Sequence, residues 1–325
     1  MRSPLSSRSF LSATPPTVAV QIARTRVSAA AITSRGGTLS VSSHAVEPLP
    51  AGVVVPALNT SNIAEPKAVA SALQRVFERM DIRPKRVALA IPDMVAKVSL
   101  LKFDNVPDRA HDLDELVRWQ VRKAAPFRIE DAQLSYVPGR KAPDGGTEFV
   151  VVMARKDIVR EYEAVCEAAG AQAGIVDLAT FNVINAVLAG PHAPAGDWLL
   201  VHVTPEDATM AILRGEHLVF FRNRDAEGEG SLADMVHQTA MYYEDRLSGG
   251  AGFGRVVLAG AGVPAADGAQ DAEYLRRALE QRLGTQVDTI DPRGAATLTD
   301  RIDANTELLD ALAPLVGLLA RERAA

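Results

Sequence analysis

Two kinds of residue in this chain have a type and spacing that could do chemistry: glycines closing an apolar run, and titratable side chains on amphipathic segments. Leu258-Ala259-Gly260-Ala261-Gly262 sets small residues directly after a run that reads as a strand. Such a turn lets main-chain N–H groups approach a phosphate or a base. Continued to Ala265, it also fits the dinucleotide spacing G-x-G-x-x-A. Only about 60 residues follow, too few for the sheet that binds a dinucleotide. Two readings of Gly260, Ala261 and Gly262 stay open: a tight strand-to-helix turn without ligand, and a residual adenine-binding loop. The glycines from Gly249 to Gly254 precede a strand instead of following one, and read as a flexible loop.

The titratable residues form no catalytic constellation. The six histidines (44, 111, 192, 202, 217, 237) show no H-x-x-H or H-E-x-x-H spacing for a metal. His202 alternates with Val201 and Val203 and reads as a packed or turn-exposed strand residue. Cys166, the single cysteine, sits on a helix beside Val165 and Ala169 and reads as a buried thiol. One cysteine makes no internal disulfide, which fits a reducing compartment. Asp112, Asp114 and Glu115 stand in the first turns of a helix, where the dipole alone explains acids. There is no G-x-S-x-G elbow.

One helix carries an unusual surface. Leu113, Leu116, Val117, Gln120, Val121 and Ala124 recur at helical spacing and form its core face. At 100° per residue, Trp119 lies about 120° from the centre of that stripe, beside Arg122 and Lys123. A tryptophan there stacks on its own neighbours or anchors a partner. Arg118, Arg122, Lys123 and Arg128 form a basic cluster, either a solvated face or a contact for acidic lipid heads or an acidic tail.

The elements that must position these residues come in two similar series. Thr17 to Arg24, Arg26 to Thr33 and Thr38 to Val46 read as three strands, with a turn at Arg35-Gly36-Gly37. A helix opens near Glu65-Pro66 and a strand runs from Arg86 to Ile91. In the second half, Trp198 to Val203, Ala208 to Leu213 and His217 to Arg222 are again three strands. A helix from about Ser231 to Leu247 and a strand from Arg255 to Ala259 follow, then a helix near Ala269 to Leu283, a strand Gln286 to Ile290 and a last helix from about Asn305 to Arg323. Between the two series, Val95 to Phe103, Asp108 to Ala125, Gln133 to Val137 and Glu148 to Ala154 read as strand, helix, strand, strand. The helix Lys156 to Ala169 and the segment Gly174 to Leu188 then complete the first series. The repetition predicts a duplicated α/β fold with a cleft between its halves.

Composition bounds the rest. The chain has 325 residues, 47% hydrophobic and 23% charged, an ordinary globular balance. Thirty-five Lys and Arg against 40 Asp and Glu give a net charge of −5, so no global attraction for nucleic acid is expected. The opening MRSPLSSRSFLSATPP lacks the apolar core of a signal peptide and reads as a frayed tail. Leu308 to Ala320 is broken by Asp310 and Pro314 and reads as a buried terminal helix, not a membrane span.

Several stretches resemble the PilM family of type IV pilus assembly proteins, cytoplasmic relatives of actin-like ATPases and of FtsA. They run from Ala88-Leu89-Ala90-Ile91-Pro92 through Phe103-Asp104-Asn105-Val106-Pro107 to Leu116-Val117-Arg118-Trp119-Gln120. Ala125-Pro126-Phe127, Leu134-Ser135-Tyr136, Val150 to Arg155, Ala168-Ala169-Gly170 and Val176-Asp177 continue the match. The resemblance covers about residues 17 to 322 and is most specific in the inserted stretch. It implies a duplicated actin-like (ribonuclease H-like) fold with a small inserted α+β subdomain in the first half. The implied division is a disordered tail over 1–16, a first lobe over 17–92 plus 156–190, an insert over 93–155 and a second lobe over 191–325.

The departures bear on activity. Where the family carries an Asp-Ile-Gly-Ser phosphate turn, this chain has Val20-Gln21-Ile22-Ala23-Arg24-Thr25. The second phosphate loop, Asp-Ile-Gly in the family, reads Val201-His202-Val203-Thr204-Pro205 here, and Pro205 removes an N–H donor. Both have lost the carboxylates that position Mg²⁺. The resemblance therefore implies a scaffold that is not an enzyme, with ATP and Mg as the only candidate cofactors and Gly260, Ala261 and Gly262 as their remaining contact. It also implies a cytoplasmic protein, peripheral on the inner membrane, that holds the tail of a PilN-like single-span protein and links it to pilus motor ATPases. The implied peptide site lies between 97–103 and 119–127, with Leu101, Phe103, Trp119, Arg122, Lys123 and Phe127 as its residues. Rivals are an actin-like ATPase and the cytoplasmic module of a type II secretion platform.

Overall fold

In the computed structural model, residues 15–324 are described except 143–144, 192, 195, 206, 226–230, 249–251, 264–271, 300–301 and 303. Most of the expected tail, and part of the Gly249 to Gly254 loop, lie outside the described residues. The first series opens with β1 (Val18–Ile22), β2 (Arg26–Arg35) and β3 (Thr38–Pro48), an antiparallel meander. Its second turn needs positive φ at two successive positions, 59° and 86°, which Gly36 and Gly37 supply. Helix α1 (Pro66–Arg79) starts on a proline whose missing N–H is no loss in a first turn, and buries Val69, Leu73, Val76 and Phe77. Strand β4 (Arg86–Ile91) then returns parallel to β1.

The insert follows as β5 (Ala96–Phe103), α2 (Ala110–Val121), β6 (Ala132–Lys141) and β7 (Thr147–Arg155), the expected strand, helix, strand, strand. Its helix is shorter than the sequence suggests. It tightens to a 3₁₀ turn over Arg122–Ala124, because Pro126 disfavours helical backbone before it. The three strands form their own antiparallel sheet, in the order β5-β7-β6. Helix α3 (Lys156–Ala168), β8 (Gln172–Leu178) and α4 (Ala179–Leu188) complete the first series, with β8 parallel to β4.

The second series repeats it: β9 (Asp197–Val203), β10 (Asp207–Arg214), β11 (His217–Asp225), α5 (Leu232–Tyr243), β12 (Arg255–Ala259), α6 (Ala272–Leu283) and β13 (Val287–Thr289). A two-residue strand β14 (Thr297–Leu298) and α7 (Thr306–Ala324) close the described chain. The sheets run β14-β3-β2-β1-β4-β8 and β11-β10-β9-β12-β13. Without β14 the two orders are the same, so the duplication extends to topology.

Each sheet has one face covered by its own crossover helices. Val18, Val20, Ile22, Leu89 and their neighbours pack under α1 and α3, and Leu199, Val201, Val256 and Leu258 under α5 and α6. The opposite faces are covered by exchange. Helix α4 ends the first series yet buries Val183, Ile184 and Val187 on Trp198 and Leu200 of the second sheet. Helix α7 ends the second series yet lies on the alanines Ala19, Ala30, Ala88 and Ala90 of the first. Small residues there let the helix approach. Leu312, Leu315, Val316, Leu318 and Leu319 are all buried in that contact, and at about 2 kcal/mol each they contribute on the order of 10 kcal/mol before entropy. The expected division put 191–325 in one lobe by chain position; β14 pairs with β3, and both β14 and α7 pack on the first lobe's sheet. The exchanged helices meet at Gly317, where a Cβ would stand 1.7 Å from the Asn182 carbonyl oxygen.

Candidate functional site

Strand β7 is apolar on both faces, and the two faces have different work. Phe149, Val151 and Met153 turn towards α2 and form the core of the insert with Phe103, Val117 and Val121. Val150, Val152 and Ala154 turn the other way and help line a groove of about 830 Å³. Its remaining walls are β6, β8, one face of α3 and one face of α4, with the turn between β10 and β11 at one end. Its size is in the range of a site that encloses a ligand.

The sequence-based site lies on the opposite side of the insert sheet, and there the structure corrects it. Phe103 meets Phe149 edge-on at 5.6 Å between ring centroids, and Leu101 and Phe127 pack on the same cluster. Lys97 Nζ donates to the Ala124 carbonyl at 2.6 Å, tying β5 to the end of α2. The expected space between 97–103 and 119–127 is thus occupied by the insert's own core, because α2 needs a sheet face to bury its apolar stripe on. Trp119, by contrast, is 67% exposed, with Arg122 and Lys123 exposed beside it. The basic cluster is not a free field either. Arg118 pairs with Asp114 at 2.6 Å, and Arg122 and Arg128 both approach Glu130. The sequence signal for this groove is β7 itself, since one helix covers only one face of a strand apolar on both.

The cleft between the lobes is built on a residue the sequence reading passed over. Asp93 follows β4 and Pro92 and is fully enclosed. Its Oδ1 accepts from the Thr180 N–H at 3.1 Å, and its Oδ2 from the Thr180 and Thr209 hydroxyls, the latter at 2.8 Å. Thr209 lies on β10, so this carboxylate joins the lobes directly. Thr180 has one proton to give and the carboxylate takes it. His202 Nδ1, 2.6 Å from the same hydroxyl, must then carry the hydrogen of that contact. Burial pushes Asp93 towards a higher pKa, but hydrogen bonding and charge from His202, with the Thr180 bonds, outweigh it and hold the group below its ordinary value. Asp207, buried nearby and bonded to Thr204 and Asn223, goes the other way: burial and then the Asp93 charge raise it.

The glycine turn lies beside Val203 and His202, and two of its amides are already bonded. Gly260 N–H donates to Asp310 Oδ1 at 2.8 Å and Gly262 N–H to Oδ2 at 2.7 Å. Gly260 has φ +83°, and a Cβ there would lie 2.0 Å from the Val203 carbonyl oxygen, so the glycine serves a close approach within the chain. Of the first loop, Gln21 is buried with its Oε1 unpartnered among the described residues, against a space of about 50 Å³ shared with Asp93, His202 and Asp207. Enclosed small-molecule sites run to roughly 300 Å³ and more. Mg-ATP does not fit these residues as arranged: the Gly260 and Gly262 amides are bonded to Asp310, the first two loops lack their acids, and the space admits a water or two. Among the described residues, no three His, Cys, Asp or Glu side chains group as metal ligands would.

The model of a protein family described as type IV pilus assembly protein PilM matches residues 19–247. Among solved structures, the chain is similar to one titled PilM-PilN type IV pilus biogenesis complex, at 17% identity and a TM-score of 0.77, covering 94% of this chain and 98% of that one. It is also similar to the ethanolamine utilization protein EutJ of Carboxydothermus hydrogenoformans, at 10% identity and 0.51, covering 95% and 90%. A Bacteroides thetaiotaomicron protein with an actin-like ATPase fold gives 10% and 0.48 over 85% and 91%.

Proposed function

The chain belongs to the PilM family of type IV pilus assembly proteins and has the duplicated actin-like fold, and on that premise we propose that it is a scaffold, not an enzyme. It sits in the cytoplasm against the inner membrane and holds the cytoplasmic tail of a PilN-type, single-span partner. Motor ATPases of the pilus are its second contact. No helix among the described residues is long and apolar enough to cross a membrane, so the membrane attachment assigned here runs through the partner.

The observation that carries this reading is the groove under the insert. It is wide, lined by apolar side chains from three elements, and rimmed by charge, as a peptide site is. The related structure is a PilM-PilN complex, and 98% of its matched chain is covered. The interlobe cleft supports the non-catalytic half of the reading. The Gly260 and Gly262 amides hold Asp310 and the buried Asp93 joins the lobes, so among the described residues these groups are not free to orient a phosphate.

The test is capture from detergent-solubilised membranes of the source cell with three tagged proteins: the native chain, Val137→Asp and Trp119→Ala. Val137 lines the groove and is 51% exposed, so its charge variant should fold. The native chain should retain a PilN-type protein, Val137→Asp should lose most of it, and Trp119→Ala should keep it. Loss with Trp119→Ala alone would move the site to the outer face of α2. Capture of secretion-platform proteins instead would change the machine served.

A further inference from the structure

Two carboxylates in this chain each reach from one lobe to the other. Asp93 follows β4 of the first lobe, and its Oδ2 accepts from the Thr209 hydroxyl on β10 of the second at 2.8 Å. Thr180, which gives both its N–H and its hydroxyl to Asp93, meets His202 Nδ1 on β9 at 2.6 Å, a second bond across the same gap. Asp310 stands on α7, the helix that lies on the first sheet. It accepts from the Gly260 and Gly262 amides that follow β12 in the second lobe, at 2.8 and 2.7 Å. Four hydrogen bonds thus cross between the lobes, and all four depend on one carboxylate or the other.

A cleft between two halves closes when a ligand bonds both of them, and opens when that ligand leaves. Here the chain's own side chains make the bonds. The exchanged helices do not supply that restraint alone. Helices α4 and α7 meet at Gly317 through apolar contacts, which have no direction and permit sliding about the pair. Hydrogen bonds of 2.6 to 2.8 Å do not survive such a movement. Burial opposes a charged Asp93, but the bonds from His202 and Thr180 outweigh it, so the closed arrangement favours this carboxylate over the same group in water. Opening the cleft would give that up.

We propose that Asp93 and Asp310 form an internal latch that holds the two lobes closed without a ligand, each carboxylate standing where a bound anion would otherwise bridge them. The chain then keeps one interlobe arrangement whether or not a small molecule is present. The latch also sets the insert. Asp93–Val95 is the 3₁₀ turn that leads into β5, and Val98 and Val150 of the insert pack with Leu218 and Phe221 of the second lobe. Closing the lobes at Asp93 therefore fixes where the insert stands against β11. None of this depends on what occupies the groove.

The experiment is a distance measurement by double electron–electron resonance on the full chain. Spin labels are placed at Ser71→Cys in α1 and Gln281→Cys in α6, exposed positions on helices that cover the outer faces of the two lobes. Cys166 stays unlabelled, since it is buried and its thiol is pushed up to about 12. The otherwise native chain should give one narrow distance, the same with and without excess Mg-ATP. Asp93→Ala should bring a second distance into view, because each lost hydrogen bond to a charged group raises the open share roughly tenfold or more. Thr209→Val removes only the second lobe's hydroxyl and should show the same second distance in a smaller share. Near-UV circular dichroism reports whether each variant is folded; where Asp93→Ala is not, Thr209→Val decides. A folded deciding variant that shows the native distance alone overturns the latch. So does a native chain with two distances, or with one that shifts when Mg-ATP is added.

Discussion

Replacing Asp310 by alanine removes the acceptor shared by a buried main-chain donor and a half-buried one. The Gly260 and Gly262 N–H groups lie 2.8 and 2.7 Å from the two carboxylate oxygens, and the turn has no freedom to follow, because Gly260 is pressed against the Val203 carbonyl. An orphaned buried N–H costs about 1–3 kcal/mol and a half-buried one less, so the pair costs about 2–5. Part is returned, since the carboxylate is itself disfavoured by burial, as its raised pKa shows. The expected net loss is about 3 kcal/mol for Asp310→Ala and roughly half that for Asp310→Asn, which keeps one acceptor. Urea unfolding reports it through Trp198, fully buried in β9, in a Trp119→Phe background that silences the exposed indole. With a slope of about 3 kcal/mol per M, the midpoint should fall by about 1 M for the alanine variant. If that variant matches the parent within about 0.5 kcal/mol, or if asparagine costs as much as alanine, the loop does not depend on Asp310 as argued.

Three further outcomes are expected. Gly317→Ala should destabilise by about 3 kcal/mol or more, since its Cβ would stand 1.7 Å from the Asn182 carbonyl and part α4 from α7; helix propensity alone would give a gain of about 1, so thermal denaturation decides the sign. Asp207 has a raised folded pKa, so it contributes stability fully below its ordinary value near 3.8, lost as pH rises through the folded value. The native chain should therefore gain on Asp207→Asn as pH falls from 7 towards 4, measured by urea titration at each pH, and a difference that shrinks would contradict the assignment. Finally, 1 mM ATP with magnesium should leave Tm unchanged; a ligand at a hundred times its Kd would add about 2.7 kcal/mol and be plain in the melt.

The departures from the family's nucleotide loops were legible at single positions. Gln21 and Pro205 stand where an acid and a free N–H are needed, and such losses need no coordinates to be read. Asp93 was not legible. One acid after Ile91-Pro92 looks like any strand-end residue until Thr180 and Thr209, 87 and 116 positions away, close on it. The groove was half legible: the insert's elements were in place, but the sequence points to the side with tryptophan and cations, away from the groove. That side belongs to α2, and Leu101, Phe103 and Phe127 serve its core.

By itself, the sequence determined the elements and their duplication. Alternating valine and alanine in the strands, glycines at Gly36 and Gly37, and proline opening α1 are constraints among residues a few positions apart, which the chain must satisfy wherever it folds. Only the tertiary structure decided which equivalent surfaces meet. Either face of β7 could have taken the helix, and α4 and α7 could each have stayed on its own lobe. The carboxylate of Asp310 reaches a loop 50 positions away. Apolar burial has no direction of its own, so the choice among such partners rests on which arrangement closes every face and pairs every buried polar group at once.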